Sequence, residues 1–403
     1  MKKNGEDNSR RKFIKKGLSG IAAAAVLPSA IAGENPEGSK TKSSIIYRTF
    51  GKTGIKLPVV SMGVMNADNP KLVEAALDSG MTFLDTAHVY QRGKNEEMLG
   101  KVLKGKKRDS FFIATKVPGN FSDRKTGLFT DKTDPKDFLK KFDISMKRLG
   151  LEYVDVLYLH SVKRKESVTF EPLLKTMLKL KKEGRVKFIG VSTHKNEPEV
   201  IRAAADSGVH DVVLTAYNFL QPHIKEIDDA VNYAAGKGLG IVAMKTQAGV
   251  YWDKERLNPI NMKAALKWAL QNKNIHTSIP GFSTFDQMET DLEVMRDIKI
   301  TDKERIDLKL KPEVAGLYCS QCDKCITQCS KGVDIPTLMR SYMYAFGYRN
   351  LIQAKDTLAD LDLNNLPCND CATCEVKCVN GLNIKDRIIE VSGISKIPDQ
   401  FLV

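Results

Sequence analysis

The first 318 residues of this 403-residue chain contain no cysteine, although the chain has eight. The sequence also lacks an uninterrupted run of about 18 apolar residues, so we predict no membrane span in the mature chain. No G-x-G-x-x-G turn follows the first apolar segment, where a doubly wound dinucleotide-binding sheet would carry one. These absences confine thiol chemistry to the C-terminal end and make a doubly wound sheet the second choice of fold.

A concentrated basic surface is also missing, although the formal net charge is +14 at pH 7. The surplus lysines and arginines are scattered along the chain, and no basic stretch is interleaved with aromatic residues. Nucleic-acid-binding proteins cluster basic residues on one face or stripe. We therefore predict no nucleic-acid partner.

The N-terminus has the layout of an export signal. A basic start precedes an apolar segment, and Ala30 and Ala32 form an A-x-A cleavage pattern. The run SRRKFIK at 9–15 resembles a bacterial twin-arginine signal. We predict a twin-arginine signal peptide over 1–32, a linker over 33–45, and export to the periplasm or another extracytoplasmic compartment. An ordinary signal peptide and an uncleaved anchor are the alternatives.

Between residues 46 and 300, short apolar segments alternate with amphipathic segments of helical period. Continuous apolar strands that alternate with helices indicate a parallel sheet covered by helices. Eight such units in this length are typical of the (β/α)8 barrel. We therefore predict an α/β fold with a (β/α)8 TIM barrel over 46–300. The apolar segments are 57–63, 81–87, 110–116, 154–160, 186–192, 211–217, 240–245 and 276–281.

Polar side chains stand at the ends of three predicted strands, where barrel enzymes place their chemistry. Asp85 ends the second strand, Lys116 the third and His160 the fourth. Tyr90 follows in the loop after Asp85. A free tyrosine titrates near 10, and a nearby ammonium would lower that pKa and make the phenol a better proton donor to a carbonyl. Each residue taken singly also has a structural explanation. Asp85 could cap a helix, Lys116 could be a surface cation, His160 could be a core histidine, and Tyr90 could pack in its loop.

Four segments resemble the aldo-keto reductase family, over about residues 46–298: YRTFGKTGIKLPVVSMGVM, MTFLDTAHVYQRGKNEEMLGKVL, FFIATKV and VDVLYLHSV. The resemblance implies an oxidoreductase that interconverts a carbonyl and an alcohol with hydride from NADPH or NADH. It further implies that Tyr90 is the proton donor or acceptor, that Lys116 and Asp85 tune it, and that His160 orients the carbonyl. The implied catalytic tetrad is Asp85, Tyr90, Lys116 and His160.

The nicotinamide contacts that the resemblance implies are altered in this sequence. Ser192 and Thr193 stand in place of a Ser-Asn pair, Leu214 replaces a glutamine, and Met244 replaces a stacking tyrosine. The loop 282–291 lacks the basic residue that commonly holds the NADP 2′-phosphate. NAD(P)H use and its absence therefore both stay open. The residues that would contact the cofactor are Gly63, Ser192, Thr193, Met244, Lys245, Gly281 and Ser283.

The cysteines form two sets with the same spacing, C-x2-C-x2-C-x3-C. This is the bacterial ferredoxin spacing for 4Fe–4S clusters, in which the fourth cysteine of each set ligates the other cluster. Two zinc sites or four disulfides are the alternatives. We predict a small, mostly helical, ferredoxin-like dicluster domain over 301–403. The crossed assignment groups Cys319, Cys322, Cys325 and Cys378 on one cluster and Cys329, Cys368, Cys371 and Cys374 on the other.

The combined prediction is an exported oxidoreductase of aldo-keto reductase type with two 4Fe–4S clusters for electron transfer. Its substrate would be a small-molecule carbonyl or alcohol, such as a sugar or polyol, and a redox partner protein would dock on the cluster domain. The alternative is a non-hydride electron-transfer or ligand-binding protein that uses the barrel as a scaffold. The basic run 163–165 after His160 indicates either a solvated loop or a subsite for an anionic sugar.

Overall fold

The computed structural model describes residues 44–402, except 121, 124–125, 310–315, 360, 362, 364–367, 369–370 and 372–373. The predicted export signal and nearly all of the predicted linker fall within residues 1–43, outside the described part. Among the described residues, no helix combines the length and the hydrophobicity that a bilayer crossing requires.

An antiparallel hairpin closes the N-terminal end of the barrel. Its strands are β1 (Tyr47–Thr49) and β2 (Lys56–Pro58). The first predicted strand, 57–63, is therefore divided, because its start pairs in the hairpin and only its end joins the barrel. Pro58 has no N–H with which to continue the ladder. Phe50, in the hairpin turn, is 1% exposed and packs inside the barrel.

Eight parallel strands form one sheet, and each pairs with the next in chain order. Parallel bridges from Val60 to Ser278 and from Gly63 to Gly281 join the first of these strands to the last. The sheet is thus closed, which confirms the predicted (β/α)8 barrel. The strands are β3 Met62–Gly63, β4 Phe83–Asp85, β5 Phe112–Pro118, β6 Val154–His160, β7 Val186–Thr193, β8 Val212–Ala216, β9 Gly240–Met244 and β10 Thr277–Ser278.

The barrel helices pack their apolar faces against the outside of the sheet. Several begin at a side chain that accepts a hydrogen bond from a free backbone N–H, as Asn69, Asp134, Asn261 and Thr284 do. The helices are α1 Pro70–Asp78, α2 Lys94–Leu103, α3 Pro135–Leu149, α4 Lys165–Val168, α5 Glu171–Lys182, α6 Glu197–Asp206, α7 Ile224–Gly236, α8 Met262–Gln271 and α9 Phe285–Arg296.

Apolar side chains fill the interior of the barrel. Phe83, Val156, Tyr158, Leu214 and Val242 belong to this inner cluster, and each is at most 1% exposed. The space inside is therefore a packed core, and a small molecule can meet polar groups only beyond the ends of the strands.

A mostly helical domain follows the barrel, as predicted. Its first helix, α10 (Asp302–Lys309), is tied to α8 by an ion pair of 3.0 Å between Lys267 Nζ and Glu304 Oε1. Asn261 at the start of α8 donates to Asp307 at 2.8 Å. The later elements are α11 Ile335–Tyr342, a π-helical turn Met343–Gly347, α12 Leu351–Leu358 and α13 Ile384–Ser392.

The C-terminal domain lies over the mouth of the barrel, the end at which the parallel strands terminate. Arg92, in the loop after β4, forms ion pairs of 2.7 Å with Asp356 and 2.6 Å with Asp399. Asn350 donates to Asn66, in the loop after β3, at 2.8 Å. The domain therefore contacts the loops in which barrel enzymes carry their catalytic residues.

A close backbone contact sits at the centre of this interface. The π-helical turn brings Gly347 against Gly249, in the loop after β9. A Cβ atom on Gly347 would lie 2.5 Å from the Gly249 carbonyl oxygen, so only glycine allows this approach.

Candidate active site and cluster pockets

Asp85 and Lys116 form a buried ion pair at the barrel mouth. They extend from the neighbouring strands β4 and β5, and each side chain is 1% exposed. Lys116 Nζ donates to Asp85 Oδ1, to the Thr86 carbonyl at 2.7 Å and to Tyr90 Oη at 3.2 Å. The ammonium thus links the carboxylate to the phenol, which is the arrangement that the sequence analysis expected.

The loop after β4 holds Tyr90 in a strained turn. Gln91 and Arg92 both have positive φ, at 49° and 55°. The Gln91 side chain donates to the carbonyls of Met65 at 3.1 Å and Ala67 at 3.3 Å, which ties the turn to the loop after β3. Arg92 is tied to the C-terminal domain. These contacts offset the backbone strain and fix the direction of the phenol.

His160 ends β6 opposite Tyr90. The two rings meet edge to face, with centroids 6.1 Å apart and planes at 82°. Burial lowers the pKa of His160 to about 3, and the positive charges of Lys116 and Arg340 add to that effect. The imidazole is therefore neutral at physiological pH, and a neutral ring can donate one hydrogen bond to a carbonyl oxygen.

The pKa of Tyr90 differs from the prediction that a nearby ammonium would lower it. Burial raises the pKa of Tyr90 above its ordinary value, and the Lys116 ammonium opposes that shift without cancelling it. The predicted lowering was wrong because it left out the loss of water. Burial also works against the charge of Lys116, but Asp85 and Tyr90 outweigh it and raise the Lys116 pKa. Tyr90 is thus protonated at neutral pH, the state that a proton donor needs.

The altered nicotinamide contacts point into the protein. The Ser192 hydroxyl accepts from the Ser161 N–H at 2.9 Å, and the Thr193 hydroxyl donates to the Lys195 carbonyl at 2.8 Å. Both side chains are at most 1% exposed, and Leu214 is fully buried and offers no polar atom. These residues do not supply the polar contacts that a nicotinamide carboxamide requires.

The other predicted cofactor residues are divided between two places. Met244 ends β9, and it and Lys245 lie half-buried at the mouth. Gly281 and Ser283 lie on an exposed loop after β10. Gly63 is packed so closely that a Cβ would come 2.6 Å from a backbone oxygen near β10. Gly63 and Gly281 therefore have a role in closing the barrel, whatever the cofactor.

The eight cysteines line two separate pockets. Each pocket collects three cysteines of one set and the last cysteine of the other. The Gln321 N–H donates to Cys319 Sγ at 3.4 Å and the Asn380 N–H to Cys378 Sγ at 3.4 Å, as cluster-ligating thiolates require. The first pocket holds Cys319, Cys322, Cys325 and Cys378, and the second holds Cys329, Cys368, Cys371 and Cys374.

The thiols also fit iron on electrostatic grounds. Burial raises the pKa of Cys319 and of Cys325 to about 12 each, and the neighbouring cysteines add to the shift. Four crowded thiolates are therefore unfavourable without a compensating positive charge, which iron would supply. The donor set and the pocket geometry fit a 4Fe–4S cluster in each site.

Sequence reasoning missed three residues at the mouth. Arg340 on α11 donates to His194 Nε2 at 2.8 Å and to Gln321 Oε1 at 3.2 Å. Tyr344, in the π-helical turn, is 7% exposed, and Lys245 Nζ lies 5.6 Å from the centre of its ring. His194 directly follows β7, so the strand-end rule could have found it. Arg340 and Tyr344 belong to the second domain, and nothing in their sequence signals a place in the barrel site.

Two family profiles match the chain. The aldo/keto reductase family matches residues 60–264, just over half of the chain, and a 4Fe-4S dicluster domain matches residues 318–383. The chain therefore belongs to the aldo/keto reductase family. It is an oxidoreductase whose barrel is followed by a 4Fe–4S dicluster domain.

Curated relatives include two sugar dehydrogenases. L-galactose dehydrogenase of Arabidopsis thaliana is 26% identical over 301 residues, which cover 64% of this chain and 90% of the relative. D-threo-aldose 1-dehydrogenase of Pseudomonas sp is 30% identical over 221 residues, or 47% of this chain and 66% of the relative. The uncharacterized oxidoreductase YqkF of Bacillus subtilis is 28% identical over 162 residues, and the chain spans half of that relative's length.

Solved structures show the same fold. The aldo-keto reductase AKR11C1 from Bacillus halodurans, in its holo form, superposes with a TM-score of 0.53 at 22% identity. The superposition covers 66% of this chain and 96% of that chain. At this identity the likeness concerns the fold alone.

Proposed function

We propose that this oxidoreductase interconverts a carbonyl and an alcohol, with Tyr90 as the proton donor or acceptor. The observation that carries the proposal is the Lys116 ammonium, which contacts both Asp85 Oδ1 and, at 3.2 Å, Tyr90 Oη. Reduction of a carbonyl adds a hydride equivalent, that is two electrons and one proton, to the carbon and a second proton to the oxygen. The hydride equivalent would come from NAD(P)H, as is common in the family, or as two single electrons from a redox partner protein with a proton from solvent. Tyr90 delivers the proton that reaches the oxygen, Lys116 stabilises the phenolate that remains, and neutral His160 orients the carbonyl.

The substrate is a sugar or a related polyol. Two relatives are named for L-galactose and for a D-threo-aldose. The half-buried side chains of Lys163, Lys245 and Arg340 at the mouth support the same class, because a polyol can accept hydrogen bonds from them along its length.

The cysteines of the two pockets would hold two 4Fe–4S clusters, one in each pocket. When bound, a cluster supplies electrons singly. Cys374 is exposed, so the second pocket lies closer to solvent than the first. A redox partner protein would dock at that side, and the first pocket, which adjoins the barrel mouth through the contact of Arg340 with Gln321, would hold the cluster nearer the site.

The residues at the family's nicotinamide-binding positions resemble the family less than the catalytic tetrad does. The hydroxyls of Ser192 and Thr193 are buried in bonds within the protein, and Leu214 is apolar. No step is assigned to NAD(P)H for this reason. The same observation favours a second candidate function, an electron-transfer or ligand-binding protein that has kept the barrel and its tetrad without hydride chemistry.

The protein works outside the cytoplasm after twin-arginine export. The signal-like segment 1–32 motivates this part of the proposal. Twin-arginine export accepts folded proteins, and a protein whose clusters are assembled in the cytoplasm needs such a route.

A turnover screen tests the proposal. Cluster-loaded protein, purified without oxygen, is offered aldoses and polyols with NADH, with NADPH, or with a viologen dye as one-electron donor or acceptor. We expect turnover of at least one sugar. Fluorescence titration with NADH and NADPH is measured separately. Binding of a sugar without turnover under any of these conditions would reject the enzymatic proposal in favour of the second candidate.

A further inference from the structure

Basic side chains from both domains converge on His194 at the barrel mouth. Burial holds the pKa of His194 well below its ordinary value, and Lys245, Arg340, His160 and Lys163 all add to the shift. The Arg340 guanidinium is in direct contact with the ring, at 2.8 Å from Nε2. Lysines of two barrel loops and the arginine of α11 thus surround one point, close to the neutral ring of His160.

Two of these basic side chains form no ion pair or hydrogen bond among the described residues, although Glu197 and the cluster-pocket thiol Cys319 lie near enough to Lys245 to raise its pKa. Neither Lys163 Nζ nor Lys245 Nζ takes part in an ion pair or a hydrogen bond there, and both side chains are half-buried. The rest of the basic run does not share this position. Arg164 donates to the Thr126 carbonyl at 2.6 Å, and Lys165 is exposed.

The nearby carboxylates are already engaged. Glu197 accepts from His223 at 3.1 Å and from Gln221 at 3.1 Å. Asp323 pairs through Oδ2 with Lys195 at 2.8 Å, while its buried Oδ1 accepts no hydrogen bond from a described residue.

Asp334 caps α11, where it accepts from the N–H of Thr337 at 3.3 Å and from its hydroxyl at 2.9 Å. Burial lowers the pKa of Lys163 to about 8 and of Lys245 to about 7, so the charged forms are costly here, and a bound anion of suitable size would lower that cost.

We propose that Lys163, Lys245 and Arg340 form a subsite for the anionic end of an acidic sugar, whose carbonyl faces Tyr90 and His160. This deepens the proposed function, on which it rests, by naming the substrate class. Arg340 presents planar N–H donors that match a carboxylate or phosphate, and the lysines add point charges on either side. The dicluster domain therefore contributes a substrate-binding residue to the barrel.

The position of the subsite gives it a role in orientation. His160 lies on β6, Lys163 follows it by three residues, and Lys245 follows β9. A sugar held by its charged end against these residues would extend along the mouth towards the phenol. A neutral sugar of the same length would lose that anchor.

Binding is measured by tryptophan fluorescence on cluster-loaded protein at constant ionic strength, without turnover. The probes are D-glucuronate, D-glucose 6-phosphate, neutral D-glucose and ADP-ribose. We expect one or both acidic sugars to bind at least tenfold more tightly than D-glucose. Arg340→Gln and Lys163→Met should each weaken acidic-sugar binding at least tenfold. Lys165→Met, at the exposed first residue of α4, should leave it unchanged.

Other outcomes overturn the inference. Equal binding of acidic and neutral sugars, no binding of either acidic sugar, or unaltered affinity in the variants would each do so. A response to ADP-ribose alone would assign the cations to a cofactor phosphate. Cluster absorbance of Arg340→Gln must match the parent, and Lys163→Met, outside the cluster domain, repeats the test independently. The assignment of Tyr90 would stand in each case, because its test is turnover.

Discussion

Replacing Lys116 by methionine tests how far the site depends on its buried ion pair. The Lys116 and Asp85 side chains are in contact and each is 1% exposed. The substitution keeps most of the side-chain volume but leaves the Asp85 carboxylate buried without its cation. Removing one partner of a buried pair costs about 3–5 kcal/mol in the free energy of unfolding. With a urea m-value of about 2–3 kcal/mol per molar, the midpoint should fall by about 1–2.5 M.

The assay is anaerobic urea unfolding of cluster-loaded protein followed by tryptophan fluorescence. Both tryptophans, Trp252 and Trp268, lie in the barrel part of the chain and pack against the apolar core of the second domain, so the signal reports on the barrel and on its contact with that domain. Lys71→Met serves as the control, because its ion pair with Glu74 is exposed at 73% and 35%. That change should cost at most about 0.5 kcal/mol.

A second substitution separates charge from packing. Adding Asp85→Leu to Lys116→Met removes the stranded carboxylate, so part of the lost stability should return. A midpoint for Lys116→Met within about 0.2 M of the parent would refute the reasoning, since it would mean that the carboxylate is not isolated from water.

Three further predictions concern other parts of the molecule. Burial lowers the pKa of His160 to about 3, so below about pH 6.5 the unfolded chain takes up a proton that the folded chain does not. The free energy of unfolding should therefore fall on acidification. In His160→Asn, about 2 kcal/mol of the loss between pH 7 and pH 5, measured by urea unfolding, should be absent. In the crossed assignment Cys319 and Cys378 hold the same cluster, so the double variant Cys319→Ser/Cys378→Ser should retain about four irons per chain by iron analysis. Cys329 holds the other cluster, so Cys319→Ser/Cys329→Ser should retain almost none. Gly347→Ala should loosen the domain interface by about 1–3 kcal/mol and speed tryptic cleavage, since its Cβ would meet a backbone oxygen at 2.5 Å.

Each of these has an outcome that would contradict it. An unchanged pH dependence in His160→Asn would mean that the imidazole is charged in the folded protein. If each cluster were instead held by the four cysteines of one set, Cys319→Ser/Cys329→Ser would keep about four irons and Cys319→Ser/Cys378→Ser almost none. Gly393→Ala is the control for the interface, because its Cβ would meet nothing within 4 Å. Equal cleavage rates for the two glycine variants would argue against close docking of the domains.

The barrel could be predicted because its evidence is local. Each strand is a short apolar run and each helix has its own amphipathic period, so the eight units can be counted without knowing their contacts. Parallel strands then bring their ends together, which is why residues as far apart in sequence as Asp85 and His160 could be expected at one mouth. The cysteine spacing is equally local, and the dicluster domain was predicted from it.

The remainder depends on contacts between distant parts of the chain. The first strand was predicted as one segment because residues 57–63 are almost all apolar, and only pairing separates the hairpin strand Lys56–Pro58 from the barrel strand Met62–Gly63. The raised pKa of Tyr90 follows from enclosure that no local pattern reveals. Arg340 reaches the mouth because α11 docks there, and its sequence neighbours belong to the cluster domain.

The most direct test of the account compares carbonyl turnover by Tyr90→Phe and Tyr233→Phe, in cluster-loaded proteins of equal iron content. Tyr233 lies on α7, and its hydroxyl bonds to Asp206, away from the mouth. Loss of a general acid typically costs about 10²–10⁴ in rate, so we predict a fall of about 100-fold or more for Tyr90→Phe and no change for Tyr233→Phe. Equal rates in the two variants would contradict the assignment of Tyr90 as the proton donor.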